Sequence, residues 1–362
     1  MRFTIDGSEA LEQRIASDME AVRASVTAAV EAGELTALVL GGGYGRGEGG
    51  VYTVDGEERV YNDYDFFVVV PYTSRKRRNA LSARLLEVKA AIEPQFGIHV
   101  DFSPPMPLST LGALPYEVMY MEAREGHHVL IGPEDVFSAL PAYDPARPPL
   151  EECARLFMNR GIGIFLAGKT IAQQAPLNTE DHEFAVRNIY KAMMAMGDSV
   201  LYLRGVYSPS YVERRARFAA QDLSGVPGGE RLRAVYEASL DFKLRPDHAV
   251  PGGARLEAWH RDMVDLYLEV FLWFERQRLN KPDLDWQSYR CLPARLPWNG
   301  PRETAKNLVR NLRHRAGQLP PLGEIALHPR DRVLRRLPGL LAGEVSDPVA
   351  ERLVILFWGH YG

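Results

Sequence analysis

The chain has 362 residues, 46% hydrophobic and 25% charged, with 31 Gly, 25 Pro and a formal net charge of −4. That is ordinary folded-protein composition, long enough for two domains, and its slight acidity excludes a general polyanion binder. Only Cys153 and Cys291 are present, which rules out a disulfide framework or a cysteine-rich zinc site and fits a reducing compartment.

From the start, Met1–Asp6 lacks a basic-then-apolar secretory pattern. No run of about 18 apolar residues follows anywhere, so a soluble cytoplasmic protein is expected. Across 9–32, Leu11, Ile15, Met19, Val22 and Val26 recur at spacings of three and four. That predicts an amphipathic helix stopped by Gly33. A first strand over Leu35–Gly41 runs into Gly41-Gly42-Gly43, where only glycine lets the backbone turn sharply or approach a ligand closely. Tyr44–Glu48 reads as a short helical turn whose N–H groups would face the strand's mouth, a natural seat for phosphate oxygens. Asp55-Gly56 between alternating apolar residues predicts a surface hairpin over Val51–Tyr61. Asn62-Asp63-Tyr64-Asp65 then leads into Phe66–Val70, a β-branched and aromatic run suited to a buried strand. Strand side chains alternate, so Asp63 and Asp65 share a face. Two carboxylates so placed repel, and a multivalent cation is the simplest relief.

Thr73–Pro94 predicts the next helix, basic at its start and apolar at Leu81, Leu85, Leu86, Val88 and Ile92. Ile98–Ser103 alternates, placing His99, Asp101 and Ser103 on one face. If this strand lies beside the Asp63/Asp65 strand, three carboxylates converge. Pro104–Pro107 ends it, Leu108–Arg124 reads as helical with a break at Pro115, and His128–Ile131 as a further short strand. The order suits a small mixed sheet with helices on one side. The proline-rich stretch Pro141–Pro149 marks a boundary between domains 1–144 and 145–362. Beyond it every predicted element is helical: 151–170, 180–204, 211–221, 230–242, 256–279, 302–316 and 347–358.

The first 130 residues or so resemble the nucleotidyltransferase superfamily that includes DNA polymerase β and the aminoglycoside nucleotidyltransferases. The resemblance is carried by Leu40, Gly42-Gly43, Asp63-Tyr64-Asp65 before an apolar strand, and Asp101 on a later one. It implies an α+β fold, a small mixed-sheet nucleotidyltransferase domain followed by an all-helical domain that closes the nucleotide cleft. The implied reaction moves a nucleoside monophosphate from an NTP such as ATP to an acceptor hydroxyl, releasing pyrophosphate. Two Mg²⁺ ions (Mn²⁺ as a substitute) about 4 Å apart would clamp the attacking and leaving oxygens. Asp63 and Asp65 would share both ions, and Asp101 would hold the catalytic one and help deprotonate the acceptor. Gly42 and Gly43 would let backbone amides reach the phosphates, with Gly43 standing where many members carry Ser. Arg46 is the nearest candidate cation for the triphosphate, its alternatives being pairs with Glu48 or Glu57. On a later helix Lys191, four residues from Arg187, either faces the triphosphate or lies on a solvated face. Tyr207–Tyr211 with Arg214-Arg215 is a similar candidate for the cleft. The expected acceptor is small and sugar-like. The alternatives are tRNA or a protein side chain, or a catalytically silent nucleotide-binding protein.

Two other motifs fail on context. Gly45–Gly50 matches G-x-G-x-x-G, yet a hairpin rather than a long helix is expected next, and no acidic residue ends the following strand. His260-Arg261-Asp262 imitates a kinase catalytic loop, but lies inside an amphipathic helix pattern with no Asp-Phe-Gly after it. Residues 301–340 hold nine Arg/Lys against three acidic residues. Without interleaved aromatics, that excess reads as a solvated basic face rather than an RNA site. His99 reads as a strand-face residue, and His127-His128 as surface or half-buried.

Overall fold

The computed structural model describes residues 2–144, 147–173, 176–247, 252–299, 301–313, 323–344 and 351–355. Helix α1 (Glu9–Ala29) starts where the Ser8 hydroxyl accepts the Leu11 N–H, and buries its predicted apolar stripe. It stops short of the expected Ala32 because Val30 is already extended; Gly33, at φ 74°, serves the turn that follows. Strand β1 (Ala37–Leu40) leads into a single helical turn, α2 (Gly42–Gly45). The hairpin forms as β2 (Val51–Val54) and β3 (Glu57–Val60), a separate two-stranded sheet. Strand β4 (Asp63–Val70) is followed by α3 (Arg75–Phe96), which runs past Pro94 to an αL stop at Gly97. The chain continues through β5 (His99–Phe102), β6 (Met106–Pro107), α4 (Val118–Glu125) and β7 (His128–Ile131). The helix predicted over 108–124 is a 3₁₀ turn, Leu108–Ala113, and then α4, because the chain is extended on either side of Pro115.

The sheet runs β5-β4-β1-β7, with β6 also paired to β4. Strand β4 is parallel to β5 and β6 and antiparallel to β1, which is antiparallel to β7. Alternation along β4 sorts its side chains into two cores. Tyr64, Phe66, Val68 and Val70 join Ile15, Val22, Leu81 and Leu85 of α1 and α3. Phe67 and Val69 join Leu111, Ala123, Val129 and Phe137 on the other face. That face is not bare, as helices on one side alone would leave it: α4 and two 3₁₀ turns cover part of it.

Further on come α5 (Leu150–Gln173), α6 (Thr179–Arg204), α7 (Tyr211–Ala219), α8 (Gly229–Leu244) and α9 (Ala254–Arg278). The sequence did not signal α10 (Trp286–Cys291) or α12 (Pro329–Leu341), whereas α11 (Pro301–Arg313) lies where expected. Residues 351–355 are helical; the rest of the expected 347–358 helix, and 314–316 of the one before it, lie outside the described residues. Among the described residues no helix is long and apolar enough to cross a membrane.

The chain forms two compact units. The first comprises Met1–Pro148 with Ser208–Arg215 and Leu240–Asp247; the second takes Pro149–Tyr207, Ala216–Ser239 and the residues beyond Asp247. In the first, Glu58 of the hairpin accepts from Arg245 (2.8 Å) and from the Ser8 N–H (2.6 Å). Those bonds, Arg245's first, hold its carboxyl down at about 2.

The second unit is organised around α5, α6 and α9, where Phe157 stacks on Phe271 with centroids 4.7 Å apart. Its basic segment divides: Lys306 and Arg310 pair with Glu303 at the surface, as a solvated face would, whereas the arginines of α12 turn partly inward. Arg332 is buried, and Arg335 and Arg336 reach buried Glu324 at 3.1 and 2.6 Å. Arg295 and Asp331, both fully buried, pair at 2.6 Å. His328 caps α12 by accepting the Arg330 N–H at Nδ1 (3.2 Å). Burial first, then the neighbouring Arg330 and Arg310, push its imidazole down to about 4 from an ordinary 6.5. Below 6.5 the unfolded chain takes up this proton before the folded one does. His328 therefore contributes its full stability above pH 6.5 and loses it as pH falls towards 4, about 2–3 kcal/mol in all. His328→Asn, which keeps a capping side chain, is expected to flatten that part of the pH–stability curve, measured by urea denaturation between pH 4 and 7.

Candidate metal centre

Parallel pairing sets Asp65 opposite Asp101 and Asp63 opposite His99. Paired residues on neighbouring strands share a face, so the β4 alternation and the β5 register bring three carboxylates together. One oxygen from each of Asp63, Asp65 and Asp101 lies within 4.8 Å of the others. Asp63 is half-buried, while Asp65 and Asp101 are exposed. Farther along β4 the same face is sealed by Phe67 and Val69, so the carboxylates stand where the apolar cover ends.

The donor set is all oxygen, as a hard divalent cation requires. Two oxygens on one magnesium ion stand at most about 4.2 Å apart, given Mg–O near 2.1 Å. Carboxylates as close as these reach that spacing by small side-chain rotations. The triad therefore fits such an ion.

The glycine turn lies directly on Asp65. The Gly41 N–H donates to the Asp65 carbonyl at 2.8 Å. Gly42 has φ +61°, and a Cβ there would stand 2.8 Å from Asp65 Oδ2. The helical turn begins at Gly42 rather than at the expected Tyr44, so Gly42 and Gly43 form its first residues. Their N–H groups have no partner within the turn, as at any helix start. Tyr44 instead points inward, where its hydroxyl donates to the Gly50 carbonyl (2.7 Å) and accepts the Tyr61 N–H (2.8 Å). The hairpin insertion is thus tied at its base to the glycine turn. Gly42→Ala is expected to cost about 1–2 kcal/mol for an L-residue at positive φ and to push Asp65 aside. Thermal unfolding and divalent-cation binding would both register the change.

Arg46 is half-buried, with its side chain largely covered, and pairs with Glu122 at 3.1 Å, not with Glu48 or Glu57. Arg214 reaches the same carboxylate at 3.0 Å, and its guanidinium lies over the Tyr211 ring, 4.5 Å from the centroid. Glu48, also buried, accepts from the Ser210 hydroxyl (2.6 Å) and the Tyr211 N–H (2.8 Å). Glu48 therefore holds the 208–215 segment directly, while Arg46 shares Glu122 with Arg214 and lies 5.5 Å from the Tyr211 ring centroid. Lys191 lies half-buried on α6, in the second unit. His260 sits mid-α9 with Nε2 2.8 Å from the Ile164 carbonyl, which disposes of the kinase-like triplet.

Sequence reasoning missed two neighbours of the triad. Asn62 has φ +81°, and its side-chain amide donates to Asp63 Oδ1. Lys89 of α3 puts its ammonium 2.7 Å from Asp101 Oδ1 and 3.4 Å from Glu93 Oε1. Burial alone would lower the Lys89 pKa; the Asp101 hydrogen bond and the charges of Asp101 and Glu93 outweigh it and hold the pKa above the ordinary value. The one-turn spacing of Lys89 and Glu93 was readable, but the contact across to β5 was not.

No protein-family model matches the chain, and no curated protein matches it either.

Proposed function

We propose that the protein is a divalent-cation-dependent nucleotidyltransferase that moves a nucleoside monophosphate from an NTP to a hydroxyl of a small, sugar-like acceptor. The observation that carries this reading is the convergence of the Asp63, Asp65 and Asp101 oxygens on adjacent parallel strands, with the glycine turn packed against Asp65. Asp63 and Asp65 would bind the cations and Asp101 would join them. Bound magnesium would neutralise phosphate charge and make the acceptor oxygen a better nucleophile. The acceptor oxygen attacks the α-phosphorus, the bond from that phosphorus to the bridging oxygen breaks, and pyrophosphate leaves. A carboxylate oxygen of Asp101 would receive the acceptor's proton. The backbone amides at Gly42 and Gly43 would hold phosphate oxygens at the strand's mouth. Arg46 pairs with Glu122 and would not contact the phosphates. The pairing of Arg332, Arg335 and Arg336 with buried Glu324 favours a small acceptor over RNA.

The test is pyrophosphate release from each of the four NTPs with Mg²⁺ and a cell extract as the source of acceptor, with Asp65→Asn as the control. Release that needs both the extract and Asp65 is expected, and it should survive RNase and protease treatment of the extract. Absence of Asp65-dependent release, together with absence of NTP–Mg²⁺ binding, would overturn the reading.

A further inference from the structure

We propose that Lys89 is a resident counter-ion of the cation site. Its ammonium occupies Asp101 when no metal is bound and moves to Glu93 when a divalent cation takes Asp101, so Lys89 sets how tightly the site binds metal. The inference rests on reading the triad as a cation site, and concerns a residue outside that triad.

Three features carry it. Lys89 lies 2.7 Å from Asp101 Oδ1, so a cation that takes this oxygen has to displace it. A second seat is already in place, since Glu93 Oε1 is 3.4 Å from the same ammonium, one helical turn away on α3. That seat stays put, because Glu93 Oε1 accepts the Val100 N–H at 2.8 Å and is thereby pinned to β5. The bridge is also open to exchange: the side chains of Lys89 and Asp101 are 27% and 56% exposed. A solvent-facing pair of this kind is weak. Displacing it, and leaving a positive charge near a dication in high dielectric, lowers cation affinity by about tenfold. Glu93 also faces His99 Nδ1 at 3.4 Å, so the second seat has a further neighbour.

The experiment is Mn²⁺ binding to the full chain at one fixed pH, read from the electron paramagnetic resonance signal of free Mn²⁺, which requires no turnover. Wild type, Lys89→Met, Lys89→Arg and Asp65→Asn are compared, each checked for fold by circular dichroism. Lys89→Met is expected to bind Mn²⁺ about tenfold more tightly than wild type, Lys89→Arg within a factor of about two of it, and Asp65→Asn least tightly. Lys89→Gln carries the same expectation as Lys89→Met should the methionine variant fail to fold. Asp65-dependent binding that is equal or weaker without Lys89 overturns this inference and leaves the cation site standing. No Asp65-dependent binding in any variant overturns both.

Discussion

Asp65→Asn is expected to reduce pyrophosphate release by about a thousandfold or more, equivalent to roughly 4 kcal/mol of lost transition-state stabilisation. Its fold should be at least as stable as wild type when no divalent cation is present. Asp65 stands between the other two carboxylates, on the same face of β4 as Asp63 and directly opposite Asp101 on β5. In the metal-free protein three carboxylates with oxygens within 4.8 Å share only the Lys89 ammonium, which sits on Asp101, and a neutral isostere at Asp65 relieves the repulsion that remains. With a cation present the balance reverses, because the wild type gains binding free energy that the variant lacks. Thermal unfolding with and without Mn²⁺, run beside the pyrophosphate assay, reads both halves. A structural aspartate would give the opposite pattern, a lower melting temperature in every buffer. That outcome would leave the triad without its proposed chemistry.

In the second unit the largest loss of stability is expected from Asp331→Ala, at about 3–5 kcal/mol. Asp331 is fully buried and accepts from the Arg295 guanidinium (2.6 Å), the Arg295 N–H (2.7 Å), the Leu296 N–H (3.0 Å) and the Asn299 amide (2.9 Å). Removing it leaves a buried cation and two buried backbone donors without compensation, while the Asn299 amide keeps its bond to the Leu296 carbonyl. Arg295 keeps bonds to the Tyr289 and Arg290 carbonyls, so it stays inside the fold with its charge uncompensated. Every tryptophan among the described residues, Trp259, Trp273, Trp286 and Trp298, belongs to this unit. Urea denaturation followed by tryptophan fluorescence therefore isolates its transition. A midpoint unchanged by the substitution would sink the prediction.

The aspartates were legible because two local signals agreed. Strand alternation put Asp63 and Asp65 on one face, and the alternation around Asp101 made 98–103 a second one-sided strand. The adjacency of those strands was a supposition from the sequence, and the β4–β5 register supplies it. What stayed hidden depends on contacts between residues far apart in the chain. Nothing local distinguishes Lys89 from any other helical lysine, and Arg46 offered Glu48 as the nearer partner when Glu122 was the actual one. Helix α12 was masked by Pro329 and Pro338; the first is tolerated because it falls in the helix's opening turn.

The assignment of 208–215 and 240–247 to the first unit has a kinetic consequence. Glu48 finds Ser210 across 162 residues of sequence, and Glu58 finds Arg245 across 187. A nascent chain that has passed Pro148 holds the sheet and the aspartates, yet it cannot close these links until about a hundred further residues have been made. Such distant partners make for slow completion and a long-lived partly formed state. The interval between translating the aspartates and translating Asp247 is therefore expected to be a window in which the unfinished first unit exposes apolar surface to aggregation.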